Sequence, residues 1–430
     1  MTRGHIDTLQ VYWDEDLEPI GELLRRPDGS TGFRYLGGTA AERRISHSLP
    51  VDGGRAEHPI NFFDNLLPDS IQRERLARRL GISDTSTFAM LEAIGGDCAG
   101  ALSIFRGPPP RSTARALRPL DEALLRRIHD EGVIPAALNE GLRLSLAGAQ
   151  DKLPVVVREG QLFLPEGRVA STHILKLPNR AYPGLVDNEH FLLELAAAVG
   201  LPVVRSARHA LAEGSAPTLA LLVERFDRRG GRRLHQEDLC QATGAPPGKK
   251  YEADGGPTLV DIVAILDAAS SEPGDVLTLL KWQAFNVATG NNDGHAKNLS
   301  LLREPSVHLA PAYDLVCTRA WDALSKERAL RVNGVRDAGA VGPVAWAAFA
   351  EEARLSARLV LDSVASVTEA VAKGARVTAT RLMDGGLPAA PLERALEKVQ
   401  AQSRRALRLL EIENPPGGRP SPARKKRVRR

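Results

Sequence analysis

Two short polar segments constrain this chain more than any of its other features. Residues 292–298 read NDGHAKN, and residues 309–315, which read LAPAYDL, place a second carboxylate at Asp314. Asp293 precedes Asn298 by five residues, and Asp314 follows Asn298 by sixteen. A phosphotransferase uses such groups to orient a hydroxyl nucleophile and to hold Mg²⁺. The spacing therefore predicts a catalytic loop like that of protein kinases, although the usual His-Arg pair before the aspartate is absent.

Each residue of these segments has a predicted role. We expect Asp293 to accept or orient the proton of the substrate hydroxyl, and Lys297 to steady the transferred phosphoryl group. Asn298 and Asp314 supply the hard oxygen ligands that Mg²⁺ prefers, although Leu-Val follows Asp314 where many kinases have Phe-Gly. His295 is interpreted as a residue that orders the loop. The alternative for both aspartates is a turn without a catalytic role.

A lysine in an apolar strand and a loop of small residues complete the predicted phosphate site. Lys176 lies within ILKLP, where a charge is unfavourable unless it is paired, and the strand lysine of a kinase reaches the nucleotide phosphates. Its acidic partner is either Glu189 or Glu194, and a strand-edge lysine that reaches solvent is the alternative. Residues 145–152 read SLAGAQDK. Their glycine and alanines would let backbone N–H groups approach phosphate oxygens, or the segment is only a hairpin turn.

The composition is that of a globular protein. Of the 430 residues 43% are apolar, and the sequence shows neither a signal peptide nor a membrane-spanning run of about 18 uncharged apolar residues. Cys98, Cys240 and Cys317 have no metal-ligand spacing, which argues against a zinc site or a disulfide framework. We therefore expect a cytoplasmic protein of two or three domains without membrane contact.

The basic residues are concentrated at the carboxyl end of the sequence. The formal net charge is +4, but residues 419–430 carry seven lysines and arginines and no acidic residue. They follow the segment NPPGGRPSP, whose proline and glycine content predicts disorder. The tail is interpreted either as a solvated segment without a dedicated partner or as a helper that contacts nucleic-acid phosphates non-specifically.

The order of the predicted elements indicates an α+β protein with a protein-kinase-like two-lobed fold, in which a β-rich N-lobe precedes a helical C-lobe. Strands are predicted over residues 9–13, 18–24, 32–36, 154–157, 161–165, 174–177 and 219–225. Helices are predicted over residues 70–80, 188–199, 277–287, 344–353 and 392–412. The predicted units are an N-terminal subdomain, a linker, the N-lobe, the C-lobe and a disordered basic tail, at residues 1–105, 106–118, 119–225, 226–412 and 413–430.

Further segments carry a family resemblance. LSLAGAQDKLPVVV, THILKLP, LLVERFDR and QEDLCQATG precede the catalytic loop in this order. Together with that loop and LAPAYDL, they resemble the HipA family of bacterial toxin kinases, which are small serine/threonine kinases with a kinase-like fold. Nearer the front, FFDNLLPDSIQRERLARRLGI and IGGDCAGALSIF resemble the N-terminal subdomain of that family. The resemblance covers residues 10–344.

The resemblance assigns nucleotide-binding roles that the residues alone leave open. It implies that ATP and Mg²⁺ are bound, and that Glu224 and Phe226 form a hinge whose backbone reads the adenine edge. Asp227 would accept hydrogen bonds from the ribose hydroxyls, and Lys152 would contact a phosphate. Ser145 is marked as a site of autophosphorylation. The residues expected to bind the nucleotide are Ala147, Gly148, Ala149, Lys152, Lys176, Glu224, Phe226, Asp227 and His295.

The resemblance also implies a biological role. A HipA-type kinase is the toxin of a toxin–antitoxin pair and phosphorylates a translation factor such as an aminoacyl-tRNA synthetase. Its partner would be a small HipB-like helix-turn-helix antitoxin, through which operator DNA would mainly be contacted. Two alternatives remain. One is a kinase of a small-molecule or lipid alcohol, because phosphoryl transfer needs the same groups for any hydroxyl. The other is a kinase-silent corepressor, which would have no need of Asp293, Asn298, Asp314 and Lys176 together.

Overall fold

The chain folds into an N-terminal domain that packs against a two-lobed body, as described by a computed structural model. The predicted phosphate-loop residues Ser145, Ala147, Gly148 and Ala149 lie outside the described residues, as do residues 414–430 of the predicted tail. The structure describes residues 6–39, 41–51, 58–109, 117–121, 123–125, 152–166, 169–211 and 219–413.

The N-terminal domain is an antiparallel sheet covered by three helices. The strands pair in the order β3-β2-β1-β4, and Phe62 and Phe63 are buried in the core beneath them. The strands are β1 (Asp7–Trp13), β2 (Gly21–Arg25), β3 (Thr31–Tyr35) and β4 (Leu102–Phe105). The helices are α1 (Pro59–Asp64), α2 (Ser70–Leu80) and α3 (Thr87–Ile94). The three strands and the helix predicted for this part of the sequence are confirmed, with shifts of up to three residues at their ends.

The N-lobe is a six-stranded sheet with one long helix behind it. The strand order is β5-β7-β6-β8-β10-β9. The strands are β5 (Leu117–Pro119), β6 (Lys152–Arg158), β7 (Gln161–Pro165), β8 (His173–Lys176), β9 (Ser206–Ala210) and β10 (Leu219–Glu224). The helix is α4 (Leu185–Ala198), whose buried side carries Glu189. Because Leu117 pairs with Pro165, the sheet begins within the residues predicted to be a linker.

The C-lobe is mainly helical and is built around one buried helix, α7, which contributes Trp282 and Phe285 to the core. The helices are α5 (Leu239–Thr243), α6 (Leu259–Ala269), α7 (Asp275–Thr289), α8 (Pro343–Glu352), α9 (Ala357–Asp384) and α10 (Ala389–Glu413). Short strands complete the lobe: β11 (Arg228–Arg229), β12 (Arg232–Arg233), β13 (Gln236–Asp238), β14 (Ser300–Arg303), β15 (Val307–Leu309), β16 (Glu327–Val332) and β17 (Val335–Asp337). Among the helices that the structure describes, none has the length and apolar character needed to cross a lipid bilayer.

Two buried polar clusters dock the N-terminal domain onto the kinase body. In the first, Asp97 of the N-terminal domain forms ion pairs with Arg228 (3.2 Å) and Arg233 (3.0 Å). Close by, Gly100 has a φ of +73°, and a Cβ at this position would lie 2.9 Å from the backbone of Gln236, so these two backbone segments approach more closely than another residue would allow. The second cluster is centred on Glu237. Through these two clusters, the N-terminal domain is fixed against the kinase body.

Glu237 is the buried acceptor of the second cluster. Its carboxylate accepts hydrogen bonds from the Ser46 hydroxyl (2.5 Å) and the His47 backbone N–H (3.1 Å), and it pairs with Arg303 (2.5 Å). Glu237 has no exposed side-chain surface, and Arg303 is 11% exposed. The cluster thus joins the N-terminal domain to β13 and β14, the strands that flank the catalytic loop.

We expect Glu237→Gln to lower the free energy of unfolding by about 3 kcal/mol, because the substitution leaves the Arg303 charge buried without its counter-ion. Urea denaturation of the full chain measures the effect. The matched control is Glu22→Gln, which removes the partner of Arg34, an arginine whose side chain is 63% exposed. That change is expected to cost less than about 1 kcal/mol. Equal midpoints for the two variants would contradict the docking role of Glu237.

Candidate active site

The catalytic loop follows the buried helix α7 and is held by amide side chains. α7 ends at Gly290, whose φ of +73° favours glycine, and a Cβ there would lie 2.8 Å from Arg319. Asn291 donates from its side chain to Asn286 Oδ1 (2.9 Å) and accepts from the backbone N–H of Asp293 (3.2 Å). These bonds fix the path of the loop and leave the Asp293 side chain exposed in the cleft.

Asp293 combines access to the cleft with a raised pKa. Tyr251 donates a hydrogen bond from its hydroxyl to Asp293 Oδ1 (2.9 Å). Loss of water to the surrounding protein raises the pKa of Asp293 to about 6; the Lys250 charge and the Tyr251 hydrogen bond oppose this rise, and the carboxylates of Asp314 and Asp69 add to it. Such a carboxylate is ionised at pH 7 and is still basic enough to accept a proton.

Asp314 and Asn298 meet on the other side of the cleft. The Asn298 side-chain amide donates to Asp314 Oδ2 (2.8 Å). Asp314 has a φ of +57°, a conformation that is uncommon for a residue other than glycine and is concentrated at functional sites. Burial alone would raise the pKa of Asp314, but Lys176 and Lys152 hold it well below its usual range. An ionised carboxylate, 43% exposed and beside an amide, is a donor pair suited to Mg²⁺.

Lys176 connects the N-lobe sheet, α4 and Asp314. Its ammonium donates to Glu189 Oε1 (2.6 Å) and to Asp314 Oδ1 (2.8 Å). Of the two acidic partners predicted for this lysine, Glu189 is the one in contact, whereas Glu194 pairs with Arg381. Burial would lower the pKa of Lys176, but the carboxylates of Asp314 and Glu189 raise it above its ordinary value. The lysine is therefore a fixed positive charge.

A second lysine, Lys152, indicates that an anion binds beside Lys176. Lys152 lies directly opposite Lys176 on the neighbouring strand. Burial, followed by the Lys176 charge, lowers the pKa of Lys152 to about 8. Like charges opposite each other in a sheet are unfavourable, and a polyphosphate beside both lysines would relieve their repulsion.

Glu224 and Phe226 line the cleft where β10 ends. The Glu224 backbone N–H donates to Arg205 O (2.9 Å), and the Arg225 backbone N–H donates to Thr172 O (3.0 Å) beside the start of β8. Phe226 stacks on Tyr313, with ring centroids 5.6 Å apart and ring planes 28° apart. The two rings line an apolar slot of the cleft, as an aromatic base requires. Its aliphatic wall consists of Ile174, Val204 and Val223.

The Asp227 carboxylate belongs to a buried ion network. Its oxygens accept from Arg225 (2.7 Å) and the Gly100 backbone N–H (2.8 Å), it forms an ion pair with Arg228 (2.9 Å), and its side chain is 4% exposed. Burial would raise the pKa of Asp227, but Arg225 and Arg228 keep it well below its usual range. Asp227 also lines the cleft, and its predicted contact with the ribose hydroxyls stays a prediction.

Lys297 is held by the N-terminal domain. Its ammonium donates to the Asn65 backbone oxygen (3.2 Å), to Asn65 Oδ1 (3.1 Å) and to Asp69 Oδ1 (3.5 Å), and its side chain is 5% exposed. An ammonium has three N–H donors, and these acceptors occupy all of them. The predicted contact between Lys297 and the transferred phosphoryl group therefore does not fit this geometry.

His295 supports the catalytic loop as a neutral ring. Burial lowers the pKa of His295 to about 3, and its ring meets the edge of the Tyr251 ring at a centroid distance of 5.4 Å. Its backbone N–H donates to Asn298 Oδ1 (3.1 Å). The ring packs against Tyr251, and the role of His295 in ordering the loop stays a prediction.

Sequence reasoning missed the residues that the N-terminal domain contributes to this site. Asn61 donates from its side chain to Gly244 O (2.8 Å), Asn65 and Asp69 contact Lys297, and Asp69 also pairs with Lys250 (2.9 Å). Asn61, Asn65 and Asp69 recur every four residues within the segment NFFDNLLPD, which also contains Asp64. Polar residues at this regular interval among apolar ones are the signal that could have identified a polar surface directed at the kinase body.

One cleft of about 940 Å³, close to the upper end of the range for small-molecule sites, contains these groups. Its walls come from both lobes and from the N-terminal domain. The predicted site residues that line it are Lys152, Lys176, Glu224, Phe226, Asp227, Asp293, His295, Lys297, Asn298 and Asp314.

The raised pKa of Asp293 predicts a pH dependence. A base must be deprotonated, so at saturating ATP the rate of phosphoryl transfer is expected to fall as the pH decreases through about 6, the pKa of this carboxyl group. Steady-state rates between pH 5 and pH 8 measure it. Tyr251→Phe removes a hydrogen bond that lowers this pKa, so the inflection should move to higher pH. A rate that stays constant down to pH 5 would contradict the assignment of Asp293 as the base.

A β-rich lobe, a helical lobe and a cleft between them that gathers a base, a carboxylate–amide pair and a strand lysine define a protein-kinase-like phosphotransferase. Comparison with known proteins places the chain more narrowly. The HipA-like C-terminal domain matches residues 144–375, and the HipA N-terminal domain matches residues 9–105. The chain belongs to the HipA family and is a serine/threonine protein kinase that uses ATP.

Individual relatives extend over most of the chain. A putative kinase of Sinorhizobium fredii is 39% identical over 86% of this chain and 92% of its own length. The serine/threonine-protein kinase toxin HipA of Shewanella oneidensis is 32% identical over 76% of this chain and 79% of its own. The solved complex of Shewanella oneidensis HipA with HipB and operator DNA contains a chain that matches with a TM-score of 0.80 and 27% identity. That match covers 94% of this chain and 99% of the other.

Proposed function

We propose that this kinase is the toxin of a HipA/HipB-type toxin–antitoxin module, that it requires Mg²⁺, and that it phosphorylates a serine or threonine of a cytoplasmic translation factor. The convergence of Asp293, Asn298, Asp314 and Lys176 on one cleft is the observation that carries the proposal. A kinase-silent corepressor would not need to keep all four groups in this arrangement. The similarity to a solved HipA–HipB–operator complex supports a helix-turn-helix antitoxin as the partner, with operator DNA contacted mainly through it.

The residues present fit the groups that the reaction requires. Asn298 and Asp314 would hold Mg²⁺, which neutralises charge on the phosphates when it is bound. Lys176 and Lys152 would contact phosphate oxygens, and the slot beside Phe226 and Tyr313 would take the adenine. Asp293 accepts the proton of the substrate hydroxyl while the hydroxyl oxygen bonds to the γ-phosphorus. At the same time, the bond between that phosphorus and the β–γ bridging oxygen breaks. ADP then carries the electron pair away.

The choice of substrate can be tested directly. The purified full chain is incubated with Mg²⁺ and ATP labelled at the γ-phosphate in an extract of matched cells, and labelled species are identified by mass. We expect label on a protein, with an aminoacyl-tRNA synthetase as the leading candidate. Label only in the low-molecular-mass or lipid fraction would favour a kinase of a small alcohol. Operator binding together with an antitoxin, but without transfer of label, would favour the corepressor.

Ser145 is proposed as a site of intermolecular autophosphorylation that switches the kinase off. The proposal rests on the family resemblance and on the position of Ser145 just before β6, whose Lys152 lines the cleft. A phosphoserine adds a charge of about −1.5 to −2 at neutral pH, which would be repelled by ATP phosphates and by Asp314.

Mass spectrometry of the wild-type chain and of an Asp293→Asn chain tests this switch. We expect phosphate on Ser145 only in the wild type, and weaker ATP binding by Ser145→Asp than by Ser145→Ala. Phosphate at Ser145 in both preparations, or undiminished ATP affinity of the phosphorylated protein, would exclude the switch.

A further inference from the structure

Asp69 occupies a helix N-cap without capping the helix. It precedes α2 with extended backbone angles (φ −87°, ψ 151°), but its side chain makes no hydrogen bond to the first turn. An aspartate in this position normally accepts a hydrogen bond from a free N–H of that turn, which stabilises the helix. Instead the Asp69 carboxylate crosses to the kinase body and contacts Lys250 (2.9 Å) and Lys297 (3.5 Å). The Asp69 carboxylate therefore contacts the catalytic loop, through Lys297, and does not cap α2.

The two lysines that contact Asp69 differ in how much of each side chain is available. Lys297 is 5% exposed and has three acceptors from the N-terminal domain. Lys250 is 17% exposed and lines the cleft, and Asp69 is the hydrogen-bond acceptor found for its ammonium among the described residues. Two of its N–H donors can therefore be offered to a substrate.

The position of Lys250 is fixed next to the catalytic base. The following residue, Tyr251, donates from its hydroxyl to Asp293 Oδ1 (2.9 Å). Lys250 Nζ lies 5.3 Å from the centroid of the Tyr251 ring. The Lys250 charge is also close enough to Asp293 to oppose the rise in the pKa of that carboxyl group. Lys250 and Asp293 therefore line the same part of the cleft, on either side of Tyr251.

We propose that Lys250 is a further catalytic residue, the cation that contacts the phosphoryl group during its transfer, and that Asp69 of the N-terminal domain is the residue that positions it. This inference rests on the proposed kinase function. Lys176 is fixed by Glu189 and Asp314 on the metal side of the cleft, so Lys250 supplies positive charge on the side of the base. Charge developing on the transferred oxygens is stabilised most by a donor that is already in place.

Four variants of the full chain test the assignment, with Mg²⁺ and γ-labelled ATP as the probe. Loss of the γ-phosphate from ATP measures transfer, calorimetry measures ATP affinity, and thermal denaturation measures folding.

Lys250→Met is expected to slow transfer by about 100-fold, with ATP affinity within a few-fold of the wild type. Lys250→Arg should restore part of the rate because it restores the charge. Lys297→Met should lower the melting temperature, and per folded molecule it should slow transfer less than Lys250→Met. Asp69→Asn should slow transfer with little effect on ATP affinity.

The positioning role of Asp69 has its own readout. If Asp69 acts through Lys250, the double variant Asp69→Asn/Lys250→Met should be no slower than Lys250→Met alone. The matched control is Asp64→Asn, since Asp64 pairs with Arg73 inside the N-terminal domain (2.7 Å) and should affect stability but not transfer. Two outcomes would overturn this inference alone. One is a double variant whose loss of rate is the full sum of the two single losses. The other is an active wild type and a Lys250→Met variant whose rate is within threefold of it. A wild-type chain that consumes no ATP would remove the proposed kinase function, and this inference with it.

Discussion

Asp293→Asn is expected to reduce phosphoryl transfer by about 10²- to 10⁴-fold, the range that a positioned general base contributes. The amide keeps the shape of the side chain and an oxygen that can accept from the Tyr251 hydroxyl, but it cannot take up the proton of the substrate hydroxyl. ATP affinity should stay within a few-fold of the wild type, because other groups bind the nucleotide. Lys152 and Lys176 face its phosphates, and the slot beside Phe226 and Tyr313 takes its adenine. Initial rates with γ-labelled ATP and calorimetric titration of ATP measure the two quantities separately.

The control for this prediction is Asp267→Asn, the same change at an exposed position on α6. It should leave both rate and affinity unchanged. Thermal denaturation shows whether either variant is misfolded. An Asp293→Asn protein that is folded and transfers phosphate at nearly the wild-type rate would show that another group is the base.

The parts of the site that follow one another closely in the sequence are the parts that could be predicted. Asp293 and Asn298 lie on a single loop, so their spacing alone indicated the chemistry. The strand carrying Lys176 could be recognised because a lysine within an apolar strand needs a partner. The choice between Glu189 and Glu194 could not be made, because it depends on which face of α4 packs against the sheet, and this is a tertiary property.

The contribution of the N-terminal domain could not be predicted, for a related reason. Asn65 and Lys297 are separated by 232 residues, and no local pattern reports a contact of that range. The same limit explains why the role predicted for Lys297 did not fit. Lys297 stands at a position where kinase chemistry is expected, but Asn65 and Asp69 of the docked N-terminal domain supply the acceptors for its ammonium.

The bounds of the 28-residue helix α9 were not predicted, because its composition weakens the signal. This helix lies within residues 226–412, which were predicted to form a helical C-lobe. Its core face is built from valines, which are β-branched and lower helix propensity. Those valines nevertheless recur at helical spacing, and the helix is stabilised by packing against α7 and α10 rather than by its intrinsic preference. They are Val360, Val364, Val367 and Val371.

Asp314→Asn tests the other half of the site and is expected to abolish the Mg²⁺-dependent part of ATP binding. Asparagine tolerates the left-handed backbone found at this position (φ +57°), so the substitution removes a negative charge without adding strain. The variant loses the carboxylate of the proposed metal pair and one counter-ion of Lys176. We expect ATP affinity in the presence of Mg²⁺ to fall by about 10- to 100-fold, the loss typical of a damaged metal site. Affinity without the metal should change little, or increase as Lys176 becomes more available to phosphate.

The matched control for Asp314→Asn is Asp14→Asn in the N-terminal domain. Like Asp314, Asp14 has a positive φ (+50°) and pairs with a basic residue, in this case Arg232 (3.4 Å), but it does not line the cleft. Calorimetry with and without Mg²⁺ on both variants separates a metal effect from a general effect of losing a carboxylate in a left-handed conformation. If Asp314→Asn retained the full effect of Mg²⁺ on ATP affinity, the metal would have to be held elsewhere. The unusual backbone of Asp314 would then reflect only its bonds to Lys176 and Asn298.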